Sequence, residues 1–352
     1  MRTHLASGVL LAAASALLAP GRVETPSFDV PIGTRIEREF ELEHFLELKA
    51  LRTVIDGVEV SSPVRAEVSS TQRLLAFDEV RACGDGRPTV LRRLFDALAG
   101  NAALRTGPAE GTTSLVALRA KSPLEGVGVV YTWVPEEGAW GRYFDALEIE
   151  EGALAELRQD LDALAFLPPK GHADRAWSVP SDAVRDLLAP AGELSLEFDA
   201  TEGGALVRPL RVGLGANLQH ALDGRIQGAI EARWLEPREK DGRRFAVAAV
   251  EVKASCAADQ SARYRSSLTF TEFSSGMTVA AAQSDWSFEG TGELVWDLAT
   301  GHLASLDLEG TQSYALRWSG TVPSPEGGTK PIEESVTFEG TLHAHGGGAL
   351  KR

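Results

Sequence analysis

The chain has 352 residues, 43% of them hydrophobic, with 35 basic against 50 acidic side chains and a net charge of −15. That apolar content is enough to bury a sizeable core, in two domains or in one large β domain. The acidic balance excludes phosphate backbones and anionic lipid surfaces as direct partners, so no nucleic-acid role is expected.

The first residues carry a targeting pattern. Arg2 precedes an uncharged apolar run, Leu5 to Ala19, and Ala19-Pro20-Gly21 supplies small residues at a signal-peptidase spacing. Residues 1–21 therefore read as a secretory signal, too short for a membrane span. No later segment reaches 18 apolar residues, so the mature chain is expected to be soluble and extracytoplasmic, periplasmic or secreted, with no transmembrane span.

From Ile36 to Leu48 the residue types alternate. Ile36, Arg38, Phe40, Leu42, His44, Leu46 and Leu48 take one parity, and Glu37, Glu39, Glu41, Glu43, Phe45 and Glu47 the other. A period of two predicts a strand with a core face and an acidic face, overriding the helix preference of glutamate. Asp56-Gly57 predicts a hairpin, with Val58 to Val68 returning antiparallel. Residues 90–98 fit either a helix or a continuing strand.

Glu150 to Phe166 places Leu154, Leu157, Leu161 and Leu164 at helical spacing, which predicts an amphipathic helix ended by Pro168-Pro169. Ser181 to Leu188 reads as a second short helix with Ser181 as N-cap. Beyond it, Ile226–Trp234, Phe245–Val252, Trp286–Trp296, Leu303–Leu308, Gln312–Trp318 and Ile332–His345 alternate again, separated by short turns. The fold class is mainly β, a β-rich α+β chain of antiparallel meander sheets. The expected organisation is an N-terminal β-rich region (22–145), a helical connecting segment (146–190) and a C-terminal antiparallel β region (191–352), with two curved sheets or half-barrels as one arrangement.

The chain lacks a nucleophile elbow, a phosphate-binding glycine loop and a zinc-protease helix motif. Gly213-Leu-Gly215 lacks the third glycine and the βαβ setting of a dinucleotide fingerprint and reads as a turn. The glutamate row spaces alternate carboxylates about 7 Å apart along a strand, a line rather than a cage for a cation, and reads as a solvated face. His343-Ala-His345 puts two imidazoles on one strand face, where a third ligand would make a zinc or copper site; beside Gly346-Gly347-Gly348 it reads instead as a frayed terminus. Asp297 and His302 flank a turn and can form an acid–base dyad, or be ordinary turn residues. No metal and no cofactor is expected. Cys83 and Cys256 are a disulfide candidate in an oxidising compartment, or two buried thiols that never meet.

Seven tryptophans stand in the chain, and Trp234, Trp286 and Trp296 fall on the apolar faces of predicted strands. They either pack the core or line a cavity for an apolar ligand. One helix of about 17 residues and a shorter one are too little cover for wide sheets, which favours a ligand or a partner on the remaining apolar area.

A set of phrases supplies a resemblance. Leu167-Pro168-Pro169 precedes Ala176-Trp177-Ser178-Val179-Pro180; Glu239-Lys240-Asp241-Gly242 precedes an alternating strand; Phe288-Glu289-Gly290-Thr291-Gly292 leads to Trp296-Asp297, Gly301 and Leu303. In this order, over roughly residues 120–345, they resemble a class of secreted bacterial β-rich proteins of unknown function. Arg175 and Ala176 replace the glycine and aspartate expected before the tryptophan. The class implies location and fold style, not an activity. More loosely, the architecture is similar to curved-sheet lipoprotein carriers of the cell envelope. The function expected is non-catalytic binding of an apolar or amphipathic ligand, a lipid or lipoprotein, on a curved sheet, with Trp234, Trp286 and Trp296 at the ligand. The alternatives are a structural or assembly protein contacting an envelope protein, and a hydrolase with an unfamiliar site.

Overall fold

The computed structural model describes residues 24–60, 64–145, 154, 157–169, 174–198, 221–268 and 278–351. The signal-like segment 1–21, Gly213-Leu-Gly215 and the first part of the expected long helix lie outside these residues.

Among the described residues fifteen strands follow in chain order. They are β1 (Arg35–Ile55), β2 (Val58–Glu59), β3 (Val64–Gly84), β4 (Arg87–Pro108), β5 (Ser114–Lys121), β6 (Gly128–Val134), β7 (Ala139–Phe144), β8 (Ala176–Val179), β9 (Glu197–Phe198), β10 (Arg225–Trp234), β11 (Arg238–Lys240), β12 (Arg243–Asp259), β13 (Thr278–Asp297), β14 (Leu303–Pro323) and β15 (Thr329–Lys351). The α-helices among the described residues are α1 (Val184–Leu188) and α2 (Ser261–Leu268). The chain is mainly β, as its alternation predicts.

All the strands belong to one antiparallel sheet. Its main path is β7-β6-β4-β3-β1-β15-β14-β13-β12-β10-β8, with β7 and β8 as its two ends. The two halves of the sequence meet where β1 pairs with β15, from Arg35 opposite Lys351 to Ile55 opposite Ile332. A hydrogen-bonded strand pair thus joins the halves into one sheet, rather than a helical segment joining two. Residues 90–98 are strand, inside β4, in register with β3.

Parity in β1 is as expected. Ile36, Arg38, Phe40, Leu42, His44 and Leu46 are buried, while Glu39, Glu43 and Phe45 are exposed. Three Asp-Gly pairs turn the hairpins: Asp56-Gly57 (φ 53° and 76°), Asp85-Gly86 (54° and 76°) and Asp241-Gly242 (54° and 72°). Positive φ at both central residues gives the turn a twist that matches the flanking strands, and glycine takes it without a Cβ penalty.

Glycines on the inner parity let aromatic rings lie flat on the sheet. Gly290 of β13 pairs with Gly310 of β14, and the Phe288 ring covers both. A Cβ on Gly310 would come within 2.8 Å of Phe288 Cε2 and collide with the Glu289 carbonyl. Gly310→Ala is therefore expected to cost about 1–3 kcal/mol, read from urea unfolding. Unchanged stability would mean that the Phe288 ring swings aside freely.

Of the expected helix over 150–166, Leu154 is helical, but the helix does not run on through the described residues 157–166. Leu157 makes an isolated bridge to Gly192, residues 158–163 are irregular, and only Leu164–Phe166 form a single 3-10 turn. Leu157, Leu161 and Phe166 are nevertheless buried. Their apolar character is used to cover the sheet, and tertiary hydrogen bonds replace the helical ones. Helix α1 stands where the second helix was expected, preceded by a 3-10 turn, Ser181–Ala183. Ser181 is not its cap: the hydroxyl donates instead to the Ile226 carbonyl, 3.1 Å away.

Candidate functional site

At the end of the sheet where β1 begins, the core contains charge. Arg38 (β1), Asp78 (β3) and Arg93 (β4) point inward on neighbouring strands, and Asp162 meets them from the irregular cover. Arg93 donates Nε and Nη2 to the two oxygens of Asp78, at 2.7 and 3.0 Å. Arg38 donates Nε to Asp78 at 3.3 Å and Nη2 to Asp162 at 2.8 Å. All four side chains are at most 4% exposed. Two guanidinium ions against two carboxylates leave the group neutral, the condition under which charge persists in a core.

The same residues hold the cover down. Arg93 also donates to the carbonyls of Arg158 and Gln159, both at 2.9 Å. Asp162 accepts from the backbone N–H of Leu303 at 2.9 Å. Asp160 accepts from the N–H groups of Asp162 and Leu164, fixing the turn. Protein crowds Asp160 on nearly every side although an edge still reaches solvent. That burial, with the Asp186 and Asp162 carboxylates nearby, pushes its carboxyl up to about 7. Burial also raises Asp186, against the pull of its 3.0 Å ion pair with Arg158.

The tryptophans join this centre. Trp296 Nε1 donates to the Asp162 carbonyl at 2.7 Å, and Trp177 Nε1 to the Phe166 carbonyl at 3.0 Å. Trp234 lies between them, 4.9 Å from the Trp177 ring and 6.0 Å from the Trp296 ring. Trp286 stacks on Phe288 further along the sheet. Trp234, Trp286 and Trp296 are all buried. Each of the three rings thus has a protein neighbour: Trp177 and Trp296 for Trp234, Phe288 for Trp286, and the cover for Trp296.

Asp297 and His302 are adjacent and buried, and both are engaged. Asp297 forms an ion pair with Arg243 and accepts from the Ala299 N–H at 2.7 Å. His302 Nδ1 shares a 2.7 Å hydrogen bond with the Thr300 hydroxyl. Burial and the nearby Arg38 cation hold the imidazole below its usual value, hence neutral at pH 7.

His343 and His345 do not fray. They lie within β15, which stays paired with β1 as far as Lys351. His343 Nε2 is 2.9 Å from Asp307, its Nδ1 is 3.8 Å from Glu43, and the two imidazole centroids are 5.0 Å apart. No group of three histidine, cysteine, aspartate or glutamate side chains among the described residues is set to hold a metal ion. The glutamate row forms cross-strand ion pairs, Glu39 with Arg73 and Glu37 with Lys351 at 2.8 Å.

Cys83 and Cys256 are separate free thiols, so the disulfide alternative is corrected. Cys83 is exposed near the β3–β4 turn and Cys256 is buried in β12, with four strands between β3 and β12 along the sheet. DTNB is expected to titrate one thiol in the native protein, slowly because partial burial and Asp29 raise the Cys83 pKa, and two after denaturation. A native count of zero that rises only after reduction would mean the pair is bonded.

Sequence reasoning passed over Arg38, Asp78, Arg93 and Asp162. Its usable signal was a charged residue on the apolar parity of a strand, as Arg38 is between Ile36 and Phe40.

No family model and no curated protein matches the chain. Among solved structures, the outer membrane protein OprG from Pseudomonas aeruginosa aligns over 92% of this chain and 98% of its own, at 8% identity and a TM-score of 0.22. An outer membrane channel from Pseudomonas putida F1 aligns over 90% and 97%, at 11% identity and a TM-score of 0.19. Neither superposition is close enough to assign a shared fold. No described helix is long and apolar enough to cross a membrane.

Proposed function

We propose that this chain is a non-catalytic extracytoplasmic protein that holds the apolar part of an amphipathic ligand, a lipid or a lipoprotein, against the inner face of its sheet. One observation carries the reading. The apolar inner face runs along strands of more than 20 residues, about 70 Å of chain. Among the described residues its cover is irregular chain and two helices of five and eight residues, not a second regular layer.

The two ends of that face differ. At the β1 start, the Arg–Asp group and the indole N–H donors fasten the cover. At the other end, Leu48, Leu51 and Trp318 are only partly buried and pack against a core that includes Val336, and α2 packs on the neighbouring strand β13. A ligand chain fits the second end, where no comparable ionic fastening is described. The buried Asp297–His302 pair, with Asp297 held by Arg243 and His302 Nδ1 by Thr300, supports a non-catalytic role, and the signal pattern of residues 1–21 supports the location.

Native mass spectrometry of protein gently purified from an extracytoplasmic fraction tests this reading. An added mass that organic extraction removes is expected. A bare protein mass would overturn the carrier reading in favour of assembly. That second role has its own observation, the β7 end of the sheet, where Tyr143 is exposed beside the partly exposed Trp133–Trp140 pair.

A further inference from the structure

Midway along the inner face, three side chains form a directed relay. Trp286 Nε1 can only donate, and its partner is Gln312 Oε1 at 3.5 Å. The amide nitrogen of Gln312 therefore faces the other way, donating to the Thr341 carbonyl at 3.0 Å and to His44 Nδ1 at 3.0 Å. This orientation fixes the imidazole tautomer: His44 Nδ1 accepts, so the proton sits on Nε2. His44 is 5% exposed, and its Nε2 has no hydrogen-bond partner.

A buried N–H without an acceptor is a costly feature in a core and calls for a reason. The surroundings define what would satisfy it. Leu42 and Leu46 flank His44 on the inner parity of β1, and Leu342 of β15 and Ser70 of β3 stand opposite it. Leu342 is in turn opposite Gly310, under the Phe288 ring. Ser70 and the buried Gln72, opposite Leu42, are the polar side chains on the β3 side of an otherwise leucine-rich setting, and burial lowers the imidazole pKa to about 4, so the ring is a neutral donor at pH 7. A neutral donor among leucines suits an uncharged acceptor attached to a hydrocarbon chain; an anion would be desolvated there without a countercharge.

Building on the proposed carrier role, we infer that His44 Nε2–H is the polar anchor of the ligand site, donating to the carbonyl oxygen of an acyl chain. An acyl ester and a protonated fatty acid share this chemistry. Trp286 and Gln312 are positioning residues, holding the tautomer that points the proton at the ligand.

The test uses the full chain, delipidated, labelled with 15N-histidine and titrated with methyl oleate and, separately, with oleic acid. The His44 Nε2–H resonance, assigned by its loss in His44→Leu, is expected to move on saturation. His44→Leu is expected to weaken binding about five- to tenfold, the worth of one neutral hydrogen bond. His44→Gln, which returns an N–H donor, is expected to recover most of that loss. Thermal melts of both variants confirm that they fold. Whichever probe moves the resonance identifies the acyl source. Equal binding by wild type and His44→Leu with an unmoved resonance would overturn the anchor and leave the carrier role standing. An Nε2–H that contacts only water in the saturated complex would do the same. Failure of both probes to bind any form would overturn the carrier role and the anchor together.

Discussion

Asp78→Ala is expected to lower the unfolding free energy by about 3–5 kcal/mol, the cost of breaking a buried ion pair from one side. Asp78 accepts three hydrogen bonds, one from Arg38 and two from Arg93, and all three side chains are at most 1% exposed. Removing it leaves two guanidinium ions facing one carboxylate, Asp162, in a setting that water does not reach. The effect should extend beyond stability. Arg93 also holds the carbonyls of Arg158 and Gln159, so its displacement frees the cover from the sheet. Urea unfolding supplies the energy, and amide exchange over residues 157–166 supplies the local effect. A loss below about 1 kcal/mol, the range of exposed pairs, would mean that water or a rearranged carboxylate replaces Asp78.

The second large effect depends on acid. The His44 pKa is about 4 in the folded chain, because burial penalises the imidazolium, against 6.5 for the free side chain. Between those values the unfolded chain binds a proton that the folded chain refuses. The contribution of His44 is therefore fully present above pH 6.5 and is lost as pH falls toward 4, by about 3 kcal/mol. Asp160 works in the opposite sense over nearly the same window. Its folded pKa of about 7 lies above the 3.8 of a free aspartate side chain, so the folded chain takes the proton first and gains stability as pH falls. His302, lowered by burial, adds to the His44 trend, and Asp186, raised by burial, adds to that of Asp160.

The wild-type curve between pH 7 and 4 is thus a difference of opposing slopes, and variants separate them. His44→Leu should be relatively more stable at pH 4 than the wild type by about 3 kcal/mol, taking pH 7.5 as reference. Asp160→Asn, which keeps an acceptor oxygen for the Asp162 and Leu164 N–H groups, should steepen the acid loss. Parallel pH curves for wild type and His44→Leu would show that the folded chain protonates His44 as readily as the unfolded one.

Much of the fold was legible in the sequence, for a local reason. A residue's side in a strand is set by backbone pleating, so the parity of Ile36 to Leu48 gave both the element and its buried face. Asp56-Gly57 was legible because few residue pairs accept positive φ at two consecutive positions. The segment 157–166 misled because leucines at helical spacing report burial as readily as helicity. Here Trp296, Trp177 and Arg93 compete for its carbonyls and hold it irregular. The candidate site was half visible: Arg38 and His44 stand among apolar residues on the inner parity of β1, a polar signal in a core position.

The sequence by itself determined the strands, their faces, the hairpin turns and the acidic exterior, all of which follow from neighbours a few residues apart. Only the tertiary structure decided that β1 pairs with β15, that Asp78 meets Arg38 and Arg93, and that Gln312 reaches His44 across 268 residues of chain. Backbone hydrogen bonds are alike in every strand, so pairing between distant strands is selected by the packing of whole faces, which no single segment encodes.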